Sequence, residues 1–274
     1  MSFTRQKKVI RKLRNIAFAL IGLYVMIGTS LYFIQERLLF MPTVLEQSYQ
    51  FQFNHPFEEL FLKTDEDASI NALHFKAKNP KGVILYFHGN AGDLSRWGSV
   101  TEYFVDKHYD VLIMDYRSYG KSIGPLNEAA FYSDAQYCYD FLKKRYAESE
   151  ISLYGRSLGS GIACNLASKN TPKQLILETP YYSILDVAKQ RFPIFPVKQL
   201  MRYEFPSYKF IKAIACPISI IHGTDDVVVP LQSGEKLYDV STKELTTFTV
   251  IKGGAHNNLV EFVGYHQRIE EILK

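Results

Sequence analysis

A run of nineteen uncharged residues near the start of the chain sets the tightest limit on how this protein can fold. It extends from Ile16 to Ile34 and carries no polar stripe apart from Gly28, Thr29 and Ser30. As a helix it would be roughly 28 Å long, close to the thickness of the hydrocarbon layer of a bilayer. The run therefore predicts one transmembrane helix.

Two alternatives to a membrane span stay open at this point. A helix buried in a protein core has similar composition, although it normally keeps a polar stripe on one side. A cleaved signal peptide needs small residues at its cleavage site, and Gly28 to Ser30 could supply them. The apolar run continues through Leu31 to Ile34, which favours retention of the segment.

The charges on either side of the run predict its orientation. Six Lys and Arg residues precede it within the first fourteen positions, whereas Arg37 follows it beside Glu36. By the positive-inside rule the amino terminus lies in the cytoplasm and the remainder of the chain outside it. The sequence has no Asn-x-Ser/Thr sequon, which favours a bacterial envelope over a secretory lumen. We therefore expect a single-pass protein of a bacterial inner membrane, with residues 35–42 along the membrane surface.

Charge and cysteine usage exclude several classes of protein. The chain has 32 Lys and Arg against 28 Asp and Glu, and removing the six amino-terminal cations leaves 26 against 28, a net charge of −2. This balance gives no support to nucleic-acid binding. The cysteines lie far apart, without the spacing of a disulfide framework or a zinc site, and we expect them to pack in the core. They are Cys138, Cys164 and Cys216.

After the tail, helix and juxtamembrane segment of residues 1–42, short apolar segments alternate with helical ones. Strands are predicted near 58–63, 70–75, 82–87, 110–114, 151–154, 174–178, 217–222 and 246–251, and helices near 97–107, 128–146, 158–169, 231–239 and 259–273. This pattern predicts one α/β domain, residues 43–274, with a mostly parallel eight-stranded sheet covered by helices on both faces. The first two strands have no helix between them, so they should pair antiparallel at one edge. Reactive groups are expected in loops at the carboxyl ends of the central strands.

One such loop has the form G-x-S-x-G. Gly155, Ser157 and Gly159 follow an apolar strand and precede a helical segment, which is the strand-turn-helix setting of a nucleophilic serine. The tight turn forces the serine into a strained backbone conformation, and side chains on the flanking glycines would crowd the neighbouring strand and helix. Ser157 is therefore the candidate nucleophile.

A second loop, residues 88–93, follows another apolar strand and carries two glycines. It can present the N–H of Asn90 toward the serine, and Leu158, directly after the serine, can supply a second N–H at a helix amino terminus. These two donors would form an oxyanion hole. His88 could be mistaken for a catalytic base, but we interpret it as a residue that orients the loop.

The candidate acid and base come late in the chain. Asp225 and Asp226 follow one strand and His256 follows the next, giving the order Ser, Asp, His of the α/β-hydrolase arrangement. From the residues alone the two aspartates cannot be separated. The remaining histidines lack a comparable loop setting, and surface or packing roles are expected for them; they include His55, His74, His108 and His266.

Together these motifs resemble the α/β-hydrolase superfamily and, within it, the membrane-anchored, ABHD-type serine hydrolases with a small cap. The resemblance covers residues 35–274 and rests on H-G-N-A-G-D (88–93), D-Y-R-S-Y-G-K-S (115–122), Y-G-R-S-L-G-S-G (154–161), H-G-T-D-D-V-V-V-P (222–230) and G-G-A-H-N (253–257). The family spacing H-G-x-x-D-x-x-V-P falls on Asp226, so the resemblance implies a triad of Ser157, Asp226 and His256. Ser118 stands where relatives usually carry glycine, which leaves the backbone of that turn open to question.

The resemblance implies ester cleavage through an acyl-enzyme, without a metal or organic cofactor. An aromatic insertion near residues 180–215 would form a short cap over the site. An apolar roof beside a membrane anchor suggests acyl or lipid-like esters as substrates, although these aromatics could equally serve to pack the cap. Two alternatives remain: a thioesterase or lysophospholipase acting on membrane acyl groups, and a membrane-tethered scaffold without activity. The oligomeric state cannot be read from the sequence.

Overall fold

A computed structural model describes residues 3–274, with side chains described from Gln6 onward. Within that range the main sheet has eight strands: β1 (Phe57–Asp65), β2 (Ala68–Phe75), β3 (Val83–Phe87), β4 (Asp110–Met114), β5 (Ile151–Arg156), β6 (Gln174–Glu178), β7 (Ile218–Gly223) and β8 (Thr246–Ile251). The α-helices of the same range are α1 (Phe3–Leu39), α2 (Leu94–Val105), α3 (Glu128–Lys143), α4 (Leu158–Ala167), α5 (Ile184–Arg191), α6 (Val197–Leu200), α7 (Ser207–Phe210), α8 (Leu231–Asp239) and α9 (Val263–Ile272).

The strands lie in the order β8-β7-β6-β5-β3-β4-β2-β1. β1 pairs antiparallel with β2, β2 pairs antiparallel with β4, and the other pairs are parallel. The predicted mostly parallel sheet with an antiparallel edge is therefore confirmed. Because successive side chains of a strand point to opposite faces, β3 contributes side chains to two separate apolar cores. Leu85 and Phe87 belong to one apolar cluster, and Ile84 and Tyr86 to the other.

Helix α1 is long and apolar enough over Gln6–Leu39 to cross a membrane, and only 6% of its apolar window is buried in the protein. A core helix would be mostly buried, so this exposure favours the membrane interpretation. Such a surface of aliphatic side chains is stable only against lipid or another apolar partner.

The carboxyl-terminal end of α1 is attached to the domain. Gln35 is buried; its Nε2 donates to the carbonyl of Leu200 (3.1 Å), and its Oε1 accepts from the N–H of Arg202 (2.8 Å). Phe40 is buried in the larger apolar cluster. Gln35 and Phe40 therefore attach this segment to the domain, because their side chains find partners in the protein itself. Leu38 and Met41 stay 50% and 49% exposed, so the placement of residues 35–42 along a membrane surface stays a prediction. Contacts thus continue across the boundary that the sequence predicts at residue 42.

The three short helices α5, α6 and α7 lie between β6 and β7 and form the cap over the carboxyl ends of the strands. Phe205 of the cap is fully buried against Phe131 of α3, with ring centroids 5.4 Å apart. The cap is thereby fixed to the body at one end. All three cysteines are free and buried.

Candidate active site

Ser157 occupies the turn between β5 and α4 with φ of 50° and ψ of −115°, a conformation that costs free energy for any residue other than glycine. The flanking glycines make this turn possible. A Cβ on Gly159 would overlap the carbonyl of Phe87, and one on Gly155 would lie 2.6 Å from the Gly159 carbonyl oxygen. The turn is held by its neighbours, since the N–H of Ser157 donates to the carbonyl of Glu178 at 3.0 Å.

Three loops bring a hydroxyl, an imidazole and a carboxylate into one chain of hydrogen bonds. The Oγ of Ser157 is 2.9 Å from Nε2 of His256, and Nδ1 of His256 is 2.7 Å from Oδ2 of Asp226. All three residues are buried, at 9%, 8% and 6% exposure in that order. With Nδ1 donating to Asp226, Nε2 is free to accept the hydroxyl proton of Ser157.

The structure separates the two aspartates. Asp225 is exposed, and its carboxylate accepts a hydrogen bond from Thr224. Asp226 is buried and accepts from His256 and from the N–H groups of Val228 (2.9 Å) and Val229 (2.8 Å). Burial alone would raise the pKa of Asp226, but hydrogen bonds from His222, His256 and Val229 outweigh it and hold the pKa below its usual range. Asp226 therefore stays ionised beside His256.

His222 is a supporting residue that the sequence motifs did not reveal. Its Nε2 lies 2.9 Å from the carbonyl of Val229 and 3.3 Å from Oδ2 of Asp226. It is fully buried at the end of β7 and approaches Asp226 beside His256. The only signal in the sequence is the spacing, since His222 lies four residues before Asp226 and can contact it if the chain turns between them.

The two candidate oxyanion donors line the same cavity as Ser157. Leu158 is the first residue of α4, so its N–H has no partner within the helix. Asn90 is held by other groups: its carbonyl accepts from the N–H of Met41 (2.9 Å) and the hydroxyl of Tyr119 (2.8 Å), and its Nδ2 donates to the carbonyl of Leu39 (3.1 Å). The last residue of α1 and the segment just after it thus fix the loop that carries Asn90.

His88 lies beneath this loop. Its Nδ1 is 2.6 Å from the carbonyl oxygen of Gly89, its Nε2 is 3.3 Å from Oδ1 of Asp115, and its ring packs on Tyr116 with centroids 4.2 Å apart. Burial raises the pKa of Asp115. These contacts fit the interpretation of His88 as a residue that orients the loop.

A buried ion pair behind the site was also missed by the sequence reasoning. Nε of Arg156 is 3.3 Å from Oε1 of Glu178, whose other oxygen accepts from Tyr154 and Tyr265. Nη2 of Arg156 lies 3.4 Å from both the carbonyl of His256 and Oδ1 of Asn257. Burial alone would lower the pKa of Arg156, but the Glu178 carboxylate raises it. Arg156 therefore links the nucleophile turn to the histidine loop.

The structure shows which backbone conformation Ser118 adopts at the position where relatives usually carry glycine. It adopts φ of 70°, the left-handed conformation that glycine supplies without strain. The turn therefore keeps the shape a glycine would allow, at some cost in free energy. The remaining histidines lie away from Ser157; His55 contacts Asp106, and His266 contacts Tyr103.

A cavity of about 420 Å³ opens above Ser157. Its walls come from the end of α1, the cap and the β7–α8 loop, and they are almost entirely apolar; among them are Leu38, Leu39, Ile184, Val187, Ala188, Phe192 and Val229. Asn90 and Arg191 are among its few polar members. A cavity of this size and lining suits an apolar substrate group next to the serine.

Comparison with known proteins identifies the family of this chain. Residues 78–210 match the family described as serine aminopeptidase, S33. The chain is 31% identical to lysophosphatidylserine lipase ABHD12 of Macaca fascicularis, over 86% of this chain and 72% of that protein. The protein of the same name from Danio rerio is 30% identical, over 87% of this chain and 75% of its own length.

Among solved structures, an esterase of Pyrococcus furiosus superposes with a TM-score of 0.67 at 18% identity, covering 86% of this chain and 96% of the esterase. Acetyl xylan esterase 1 of Thermoanaerobacterium superposes with a TM-score of 0.64 at 17% identity, covering 83% and 85%. At these identities the likeness concerns the fold alone.

Fold and relatives together define a hydrolase of the α/β-hydrolase superfamily, an enzyme of the serine hydrolase and lipase type. Within that class, the chain belongs to the same family as lysophosphatidylserine lipase ABHD12. The predicted fold, enzyme class and family resemblance are confirmed.

Proposed function

We propose that this protein is a membrane-anchored esterase that cleaves carboxylic esters of apolar acyl groups through an acyl-enzyme on Ser157. The observation that carries the proposal is the unbroken hydrogen-bond chain from the Ser157 hydroxyl through His256 to Asp226. This arrangement is the one that activates a serine for attack on a carbonyl.

In the first step, Ser157 Oγ attacks the ester carbonyl carbon while His256 Nε2 takes the hydroxyl proton. The carbonyl oxygen becomes an oxyanion that the N–H groups of Leu158 and Asn90 stabilise, and each such donor typically contributes about 2.7–4 kcal/mol in the transition state. The intermediate collapses, the alkoxide leaves with the proton from His256, and the acyl group stays on Ser157. Asp226 holds the imidazole in the required tautomer and stabilises its protonated form.

In the second step, water attacks the acyl-enzyme. His256 takes a proton from the water, the tetrahedral intermediate forms in the same oxyanion hole, and the carboxylic acid leaves as the proton returns to Ser157. Each bond formed or broken involves only substrate, water and these side chains.

The apolar cavity supports acyl chains as the substrate group. The relatives' name, lysophosphatidylserine lipase, supports an acyl lipid as the second, finer candidate. A thioester would be attacked by the same route. We further propose that residues 1–42 anchor the protein, with the amino terminus in the cytoplasm and residues 43–274 outside it.

A fluorophosphonate probe tests the nucleophile directly, because it labels only an activated serine. We expect labelling of the wild-type protein and none of Ser157→Ala, with Ser99→Ala, an exposed serine of α2, as a control that leaves the nucleophile turn intact. A series of p-nitrophenyl esters and acyl thioesters of increasing chain length then measures the preference for chain length and for ester over thioester. An unlabelled wild-type protein would contradict the proposal and favour the scaffold alternative. A reporter fused after Lys274, active on one side of the membrane only, tests the orientation.

A further inference from the structure

The cap touches α1 well inside the apolar run. The ring of Phe195 stacks on that of Tyr24 with centroids 4.9 Å apart, and the hydroxyl of Tyr24 donates to the carbonyl of Ile194 at 2.9 Å. Gly28 also faces this ring, since a Cβ there would lie 3.6 Å from Phe195, in ordinary van der Waals contact. The cap tip, defined as residues 192–196, is therefore bound to the side of the candidate membrane helix.

The depth of this contact follows from helix geometry. Tyr24 lies ten residues before Ile34, the end of the apolar run, which is about 15 Å along the helix axis. A hydrocarbon layer is about 30 Å thick, so a helix that spans it carries Tyr24 near the middle. The cap tip would then lie inside one leaflet.

The chemistry of the surrounding surface fits such a position. Ile194 is 72% exposed and lies beside the exposed aliphatic side chains of α1, among them Ile21 and Val25, so the apolar surface of the helix continues onto the cap tip. The cap tip is flanked in the sequence by the exposed side chains of Arg191 and Lys198. Nearer the domain, Arg202 pairs with Glu36 at 3.1 Å and lies over the ring of Tyr32 at 5.7 Å. Tyrosine and charged side chains of this kind are typical of the membrane interface.

A second cavity, which we call the side cleft, lies between α1 and the cap. It is lined by Leu31, Gln35, Leu38, Leu39, Ala188, Phe192, Phe195, Val197, Leu200 and Met201. Leu38, Leu39, Ala188 and Phe192 also line the cavity above Ser157. The side cleft is thus an apolar space that shares walls with the serine cavity and is bounded beyond them by Leu31 of α1 and Phe195 of the cap tip.

We propose that the cap tip is inserted in the bilayer and that the side cleft admits the acyl chain of a lipid laterally from the membrane to Ser157. The occupant is an acyl chain because the lining is apolar and the cleft adjoins the cavity of the candidate nucleophile. This inference rests on the proposed esterase activity for its second half, the passage of the chain, but not for the insertion of the tip.

Insertion is tested without any catalysis. The full-length chain, reconstituted in phosphatidylcholine vesicles with brominated acyl chains, is compared as Ile194→Trp and Val263→Trp. Both positions are exposed, at 72% and 70%, and Val263 belongs to α9, outside the cap. We expect bromolipid quenching of the tryptophan at 194 and none at 263, above the shared background of the buried native Trp97. Equal fluorescence of both variants in brominated and ordinary vesicles overturns the insertion.

Passage through the side cleft is tested with two narrowing variants on its opposite walls, Leu31→Phe and Leu200→Phe. Neither position lines the serine cavity. We expect roughly tenfold slower hydrolysis of p-nitrophenyl palmitate held in vesicles, because the larger aromatic side chain fills part of the apolar space through which the acyl chain would pass. Hydrolysis of water-soluble p-nitrophenyl acetate should stay unchanged, which also checks that the variants fold. Leu20→Phe, on the exposed part of α1, is the control.

The outcomes separate the two proposals. Equal rates of palmitate hydrolysis in wild type and both variants overturn lateral passage, as do equal losses on both esters. If the wild-type protein hydrolyses neither ester, the proposed esterase function fails and lateral passage fails with it. The tryptophan quenching still decides the insertion of the cap tip in that case.

Discussion

Replacing Arg156 by methionine is expected to damage stability and activity by two different routes. Arg156 and Glu178 are 7% and 4% exposed, so Arg156→Met leaves a carboxylate buried without its cation. Removing one partner of a buried pair typically costs 3–5 kcal/mol. Because the hydroxyls of Tyr154 and Tyr265 still donate to Glu178, we expect the lower end, ~3 kcal/mol.

A double variant isolates the contribution of the unpaired charge to the loss of stability. Arg156→Met with Glu178→Gln removes both charges at nearly constant volume, so most of the lost stability should return. In a domain of this size, ~3 kcal/mol corresponds to a fall in Tm of roughly 6–12 °C. Thermal unfolding in one detergent should therefore show Arg156→Met far below the wild type, with the double variant within a few degrees of it.

The ranking of the variants by activity should differ from their ranking by stability. Only the guanidinium reaches the carbonyl of His256 and the side chain of Asn257, so every variant without it loosens the histidine loop. We expect roughly tenfold lower kcat in Arg156→Met and in the double variant. Arg156→Lys should keep much of the stability, since it keeps the charge, and lose the activity. A double variant as unstable as Arg156→Met, or Arg156→Lys with full kcat, would refute this reasoning.

Three further predictions concern the site and the core. Gly159→Ala should abolish fluorophosphonate labelling and destabilise the fold by about 3 kcal/mol, because the added Cβ would overlap a carbonyl. Gly22→Ala is the control: a Cβ there has no atom within 4 Å, so this variant should behave as wild type in the same labelling and melting assays. Asp226→Asn should lower kcat about 10⁴-fold by favouring the wrong imidazole tautomer, and Asp225→Asn should leave it nearly unchanged; similar losses in both would contradict the assignment. Burial and Lys76 lower the pKa of His74 from 6.5 to about 4, so between these values the unfolded chain binds a proton first and acid favours unfolding. Denaturant unfolding should show ~2 kcal/mol more loss between pH 7 and pH 4.5 in wild type than in His74→Gln; an equal loss would show that His74 is not responsible.

Much of the fold was predictable because its signals are local. Apolar strands such as β3 and the glycine-flanked turn at Ser157 carry their structure in a few adjacent residues. The observed strand bounds coincide with the predicted ones at nine of sixteen ends and differ by one or two positions at the others. The predicted helix near 259–273 is divided instead, with a 3₁₀ turn at Leu259–Glu261 before α9. A turn of that kind depends on tertiary packing, which periodicity does not report.

The supporting groups of the site were not predictable from the sequence, because they meet only through tertiary packing. Arg156 and Glu178 are 22 residues apart in sequence and meet only because β5 and β6 are neighbours in register. His222 contacts Asp226 through a turn whose shape the sequence does not state. The choice between Asp225 and Asp226 depended on the family spacing, and the structure supplies the physical reason: one of them is turned outward to Thr224.

The hydrogen bonds that join the last residue of α1 and the segment after it to the loop of Asn90 bear on how the enzyme is prepared. A shorter, water-soluble version starting at residue 43 would be convenient to purify, but it would lack Leu39 and Met41, which hold Asn90 from both its side chain and its backbone. It would also lose four residues from the wall of the serine cavity, Leu38, Leu39, Phe40 and Met41. A weak rate measured on such a fragment would report a damaged catalyst, and only the intact polypeptide in lipid can serve as the reference for substrate screening.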